Sequence, residues 1–314
     1  MKKILLTGHL GFIGSKMYKK LIKKYNVIGY DLKDGNDIRN KMQLDELFEK
    51  ENFDTVLHLA ALAGARRGDE YPDDYISTNI NGTRNIVAMC DKYKVNKLIA
   101  YSSSSVLGGC KIDIARPFKT TDSEGVITQS ITNATVKHIV SLNEDVKYNP
   151  KSIYGMTKVM TELLVLNSRV ENKVIIRPFT VYGEEGRKDM VIYKWIEQIK
   201  NNKHVTVYGD GDTTRGYTYV EDLIDATIKL IDTDVNNEIL HIGGSECIKL
   251  IDILNIFDAH CAKRNIEFNY DKHSLSKADP THSIADTSLA EYLIDFKPRK
   301  NFIKNLKKIL KKEL

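Results

Sequence analysis

Cysteine, proline and tryptophan are scarce in this chain, with 4, 6 and 1 among 314 residues. Cys90, Cys110, Cys247 and Cys261 have no C-x-x-C spacing and no histidine cluster beside them, which excludes a zinc ribbon or a disulfide scaffold and gives no metal site to expect. So sparse a set fits a reducing cytoplasm. No proline-rich or Gly/Ser-rich tract reads as a linker between separate domains. A run of about 18 apolar residues, the length a membrane span needs, is absent as well. The opening Met1-Lys-Lys before apolar residues resembles a secretory leader only superficially, because Gly8 and Gly11 interrupt it and no small-residue cleavage site follows. Nor does one sign of charge dominate. The net charge of +5 is densest in the terminal 300–312 segment, which a solvated helix face explains without nucleic acid.

What is present begins with Thr7-Gly-His-Leu-Gly-Phe-Ile-Gly14. An apolar run (Ile4, Leu5, Leu6) leads into three glycines and then an amphipathic stretch, the order strand, tight turn, helix. Gly8 suits the turn, Gly11 lets backbone approach a pyrophosphate, and Gly14 lets helix pack closely on strand, while the helix start offers free N–H donors. The spacing is Gly-x-x-Gly-x-x-Gly rather than the commoner Gly-x-Gly-x-x-Gly, but the next strand ends in Asp31, where a dinucleotide fold places an acid on the adenosine ribose. A carboxylate there accepts from a 2′-hydroxyl and repels a 2′-phosphate, which favours NAD over NADP.

Short β-branched or apolar runs recur at residues 3–7, 26–30, 55–59, 97–102, 173–177 and 238–242, with helical patterns at 11–24, 41–51, 75–93, 153–171 and 220–231. The alternation predicts an α/β fold, a doubly wound parallel sheet of Rossmann-like type, with ligands at the carboxyl ends of the strands. From about residue 181 the pattern loosens into a helix near 190–200, short strands near Val205 and Tyr217, and two final helices. Residues 1–180 are therefore expected to form the nucleotide-binding domain and 181–314 mainly a smaller C-terminal substrate lobe. The strand near Ile239 rejoins the first domain, so the two interleave.

Tyr154 and Lys158 lie four apart at the start of a helical stretch, so both project from one face. A tyrosine acting as a base near neutrality needs its pKa of about 10 lowered by roughly 3 units, about 4 kcal/mol of preference for the phenolate. Lys158, with the positive ring of an oxidised nicotinamide, is the expected source. Ser102 to Ser105 follow the fourth strand at its carboxyl edge, where a hydroxyl can hold a reacting alcohol oxygen near Tyr154.

On these residues the chain resembles an extended short-chain dehydrogenase/reductase of the NAD-dependent epimerase/dehydratase family, which acts on nucleotide sugars. The likeness runs from the glycine loop through His58-Leu-Ala-Ala61, Asn79 in Asn-Ile-Asn-Gly-Thr, the serine run, Tyr154-x-x-x-Lys158, Arg177-Pro-Phe-Thr-Val-Tyr-Gly183 and the 208–220 stretch to Ala285-Asp286. It implies that Gly8, Gly11, Phe12, Ile13 and Gly14 cradle the pyrophosphate of NAD and Asp31 takes the ribose. Asp37 and Ile38 would flank the adenine; Leu59, Ala60, Ala61, Asn79 and Ser102 would line the cofactor path. Tyr154 is then the base, Lys158 its electrostatic partner and Ser103 the catalytic hydroxyl, with Ser104 and Ser105 facing the sugar and Arg215 binding the nucleotide's phosphates. By the same resemblance, helices near 84–93 and 153–171 make a homodimer through a four-helix bundle.

Dehydratases of the family place an Asp-Glu pair after the catalytic hydroxyl, and decarboxylases place a Glu at the second of those positions. Here Ser104 and Ser105 stand instead, so a 4-keto intermediate has no acid for elimination and is expected to be reduced again, giving a 4-epimer. Thr180, in place of a common asparagine, and Gly186-Arg-Lys-Asp-Met190 resemble uronic-acid 4-epimerases, with Ser104, Ser105 and Thr180 as donors for a sugar carboxylate and Arg187 to neutralise charge on carboxylate or phosphate. The expected reaction is interconversion of UDP-glucuronate and UDP-galacturonate. A neutral UDP-sugar, a reductase using free NAD(P)H, and a cofactor-holding redox-sensing module are the alternatives. Leu107, Gly216 and Lys188 depart from the family's tyrosine, aspartate and proline, and residues 126–146 form an unusually long strand-like addition, an expected hairpin or lid beside the site.

Overall fold

The computed structural model describes the chain except residues 115–118, 122–126, 130–136, 245, 277 and 300, and describes the backbone alone at 112–114, 119–121, 127–129 and 137–138. Six parallel strands make the central sheet: β1 (Lys3–Thr7), β2 (Asn26–Tyr30), β3 (Thr55–His58), β4 (Lys97–Tyr101), β5 (Asn172–Pro178) and β6 (Glu238–Ile242), in the order β6-β5-β4-β3-β1-β2. Their near-continuous apolar character follows from burial on both faces. Thr7 lies opposite Tyr30 on one side and His58 on the other, so the loops after β1, β2 and β3 leave the sheet side by side.

Helices α1 (Phe12–Leu21), α2 (Lys41–Glu51), α3 (Gly82–Lys92), α4 (Ile153–Leu166) and α5 (Val220–Asp232) cover the sheet. Met17, Leu21, Leu223 and Ile224 of α1 and α5 pack on one face with Ile4, Leu6 and Ile99, while Phe48, Ile86 and Val165 of the other three pack on the opposite face with Leu5, Val56 and Leu98. Asn40 caps α2 by accepting from Gln43 N at 3.2 Å, and Ser152 caps α4 by accepting from Gly155 N at 3.1 Å. A second apolar cluster, around Trp195, Phe257 and Phe302, gathers the helices Val191–Lys200, Leu250–Ala262 and Phe302–Glu313.

The structure departs from expectation in detail. The helix expected over 75–93 is a short helix (Pro72–Tyr75), a wide π turn (Ile76–Asn81) and then α3. The helix expected to reach 171 stops at Leu166, where the chain turns into β5. Among the described residues three helices, not two, follow β6. The added segment at 126–146 lies partly outside the described residues. Of the rest, Ile127–Gln129 pairs antiparallel with Lys119–Thr121, and Lys137–Ile139 with Ile112–Ile114. Leu142 then docks beside 284–286, donating to Ile284 O at 2.9 Å and accepting from Asp286 N at 2.8 Å.

Candidate active site

The glycine loop has the shape its residues require. Gly8 has φ +75° and donates its N–H to Tyr30 O at 2.8 Å. A Cβ on Gly14 would fall 2.0 Å from Gly8 O, so no larger residue fits between loop and helix. The first N–H groups of α1, from Phe12 onward, are left for an acceptor outside the helix. Asp31 is anchored at the edge of this loop, accepting from Leu10 N and Lys33 N at 3.0 Å each. Two of the expected adenine neighbours are otherwise engaged. The Asp37 carboxylate is forked by Arg39, which lowers its pKa, and the Ile38 side chain is core, pressed against Gly82.

Beside the loop runs a buried polar chain. Thr7 Oγ1 accepts from Leu59 N and Ala60 N at 3.1 Å each and meets His58 Nδ1 at 2.8 Å. His58 Nε2 meets Thr83 Oγ1 at 3.0 Å, and that hydroxyl donates to Asn79 O. With Thr83 donating onward, His58 must carry its proton on Nε2 and accept from Thr7. Burial pushes its pKa down to about 3, so it is a neutral strut. Asn79 is almost fully buried: its amide donates to Leu62 O (2.9 Å) and Thr157 Oγ1 (3.0 Å) and accepts from Leu62 N (2.8 Å). Its side chain therefore ties Leu62, at the end of the 59–62 stretch, to α4.

Ser103, two residues past the end of β4, is extended and opens the tight turn Ser104–Val106, accepting from Ser105 N and donating to Ser105 Oγ, both at 3.1 Å. Tyr154, in the first turn of α4, lies beside the Ser103 hydroxyl and meets the Tyr75 ring edge-on at 6.2 Å. Burial raises the phenol's pKa above its ordinary value; the Arg187 guanidinium and the Ser103 hydroxyl act the other way. Lys158 donates to Tyr101 O at 2.7 Å, and burial brings its own pKa down to about 8 against the pull of Glu162. The Ser102 hydroxyl donates to Glu162 Oε1.

Across from these residues opens a cavity of about 710 Å³, lined by Thr180, Arg215, Tyr208, Arg66, Asp189 and Asp279 among others. Arg66 spans its mouth, stacked 3.5 Å over the Tyr208 ring and paired with Asp279. Arg215 donates to the carbonyls of Thr214 (2.8 Å) and Thr281 (3.1 Å), which aim its guanidinium. Arg187 is paired with Asp189, and both carry their charged ends to within 3.2 Å of the space beside Gly64. Of the residues the sequence singled out, Thr180 and Arg215 line this cavity and Arg187 pairs with Asp189 of its wall; Tyr75, Arg66, Asp189 and Asp279 were missed. Only Asp189 lay in a stretch already singled out.

A model of the NAD dependent epimerase/dehydratase family matches residues 4–243. The chain belongs to that family. It is 30% identical to a UDP-glucuronate 4-epimerase of Thermodesulfobacterium geofontis, over 97% of this chain and 94% of that protein. A UDP-N-acetyl-alpha-D-glucosaminuronate decarboxylase of Bacillus cytotoxicus is 31% identical, over 78% and 76%. The crystal structure of UDP-glucuronic acid 4-epimerase from Bacillus cereus, in complex with UDP-glucuronic acid and NAD, superposes with a TM-score of 0.82 at 29% identity, covering 99% of each chain. The residues of this family member fit NAD: the cradle at Gly14 admits no Cβ, and the anchored Asp31 carboxylate is suited to a free 2′-hydroxyl.

Proposed function

We propose that this enzyme is an NAD-dependent nucleotide-sugar 4-epimerase whose substrates are UDP-glucuronate and UDP-galacturonate. One observation carries the reading: the Ser103 hydroxyl lies close enough to Tyr154 to favour its phenolate, and the turn that follows Ser103 contains serines and no carboxylate. Bound NAD supplies reversible uptake of the hydrogen at sugar C4. Gly8, Gly11, Phe12, Ile13 and Gly14 would hold its pyrophosphate, and Asp31 its ribose. Tyr154 takes the proton of the C4 hydroxyl and later returns it, while Ser103 holds that oxygen in place. Lys158, an ammonium at neutral pH, stabilises the phenolate once the site is filled. Without an acid at 104 or 105, the 4-keto sugar is not drained toward elimination. Because a 4-keto uronate is a β-keto acid, fixed donors from Ser104, Ser105, Thr180 and Arg187 would also keep its carboxylate solvated and out of the geometry for decarboxylation.

One observation favours a neutral UDP-sugar instead. Arg187 already has a carboxylate partner in Asp189, so its charge is balanced before any sugar arrives. Incubating purified protein with UDP-glucuronate and no added cofactor, followed by proton NMR, separates the readings. Galacturonate signals support the proposal. Formation of UDP-xylose or a 4-keto pentose, or turnover of UDP-glucose or UDP-N-acetylglucosamine alone, rejects it.

The proposal extends to a homodimer in a reducing cytoplasm. Met156, Met160 and Leu163 follow one another at helical spacing on the outer face of α4, each at least 39% exposed, with Ile76 also exposed. A two-fold copy would cover them. All four cysteines are free thiols, and no helix among the described residues is long and apolar enough to cross a membrane.

A further inference from the structure

Three side chains of α4 hold three consecutive residues at the end of β4. Tyr154 lies beside the Ser103 hydroxyl, Lys158 donates to Tyr101 O, and Glu162 accepts from Ser102 Oγ. The spacing 154, 158, 162 forms one stripe, so a shift of α4 against the strand breaks all three contacts together. Glu162 is completely buried and fully hydrogen-bonded. Arg177 on β5 grips both its oxygens at 2.8 Å, through Nε and Nη2, and Tyr148 OH donates to Oε2 at 2.7 Å. Behind Arg177, His241 Nε2 lies 3.3 Å from Nη1.

We propose that Glu162 is a positioning residue for the catalytic pair: it sets the register of α4 against the strand end that carries Ser103, and its negative charge keeps Lys158 an ammonium. The proposal rests on the roles given above to Tyr154 and Lys158. Lys158 is faced on its own helix by Tyr154 and Glu162, from β3 by His58, and from β4 by the uncharged Tyr101 carbonyl. His58 is neutral, and Arg177 stands behind Glu162 from β5. Glu162 is therefore the anion among these neighbours. A carboxylate serving only to tie α4 to β5 through Arg177 would leave the titration of Lys158 untouched.

The test uses the full-length NAD-loaded protein, labelled with ¹³Cε-lysine, with the Lys158 signal assigned by its loss in Lys158→Met. In Glu162→Gln the Lys158 titration midpoint should fall by about one pH unit or more. The alkaline limb of kcat should move down with it, and kcat at neutral pH should fall at least about tenfold while KM stays within about twofold. Ser102→Ala, which keeps the Glu162–Arg177 pair, should leave the midpoint in place and lower kcat by about threefold or more. An unmoved midpoint in Glu162→Gln, with only the melting temperature reduced, overturns the charge role. Parental kcat in Ser102→Ala overturns the register role. If Glu162→Gln does not fold, the double variant E162Q/R177M, which buries no unpaired charge, gives the midpoint instead. A parent inactive on every UDP-sugar refutes the proposed function, whereas the lysine titration still decides the charge role of Glu162.

Discussion

Replacing Asn79 is the sharpest check on how the cofactor path is held. Its amide makes three hydrogen bonds, two to the backbone of Leu62 and one to Thr157, each between 2.8 and 3.0 Å. At a net worth of about 1 kcal/mol each, Asn79→Ala should lower unfolding stability by about 3 kcal/mol. Two of the three act on the stretch containing Leu59, Ala60 and Ala61, so about half that loss should appear as slackness where NAD binds, weakening its affinity about tenfold. Asn79→Asp should be worse than alanine at neutral pH, because a carboxylate replaces the two donors and faces the Leu62 carbonyl. Urea unfolding gives the stability, and the ratio of absorbance at 260 and 280 nm after gel filtration reports retained NAD. If Asn79→Ala unfolds within about 0.5 kcal/mol of the parent and keeps its NAD, the amide is not the clamp inferred here.

Four other outcomes follow. Tyr154→Phe should lose at least about a hundredfold in kcat while binding UDP-sugar with near-parental affinity, since only the proton-transfer group is removed; the single Trp195, at the wall of the cavity, offers a fluorescence readout. Arg187→Met should raise KM for UDP-glucuronate by about tenfold and leave UDP and UMP binding unchanged, and equal losses for all three would assign Arg187 to phosphate. Gly14→Ala should purify without NAD, because its Cβ would meet Gly8 O at 2.0 Å; a mass spectrum showing bound NAD would contradict this. In acid, His58 and His241 stay neutral in the fold down to about pH 3 and 4 but protonate near 6.5 in the unfolded chain. The unfolded state then binds more protons, so stability is full above about pH 6.5 and falls below it by up to about 1.4 kcal/mol per pH unit for each histidine. Urea midpoints across that range check the slope, and His58→Gln should flatten it.

The sheet was readable because each strand is a short apolar run closed by a polar or glycine-rich turn; β1, β2 and β6 fall where the alternation predicted them. The π turn at Ile76–Asn81 was not readable, since widening one turn leaves the apolar spacing of the flanking residues nearly intact. Sequence spacing also put Tyr154 and Lys158 on one face, but it could not say which acceptor the ammonium would choose. That choice, Tyr101 O, depends on a strand 57 residues away. Glu162, Tyr148 and Asp279 were missed for the same reason. Their partners come from other elements, 14 residues off for Tyr148 and Glu162 and 213 for Arg66 and Asp279, and no local pattern marks such contacts.

The return of β6 to the sheet has a bearing on biosynthesis. Its backbone partner is β5, Ile239 opposite Ile175, so the sheet is completed by a segment that leaves the ribosome about 60 residues after β5, with the helix Val191–Lys200 and α5 made in between. Until then β5, rich in valine and isoleucine, stands as an open edge in the nascent chain, able to pair with another copy. An N-terminal fragment ending before residue 238 keeps the glycine loop, Tyr154 and Lys158, yet exposes that edge for good. The catalytic half of this enzyme is thus translated long before it can be safely soluble.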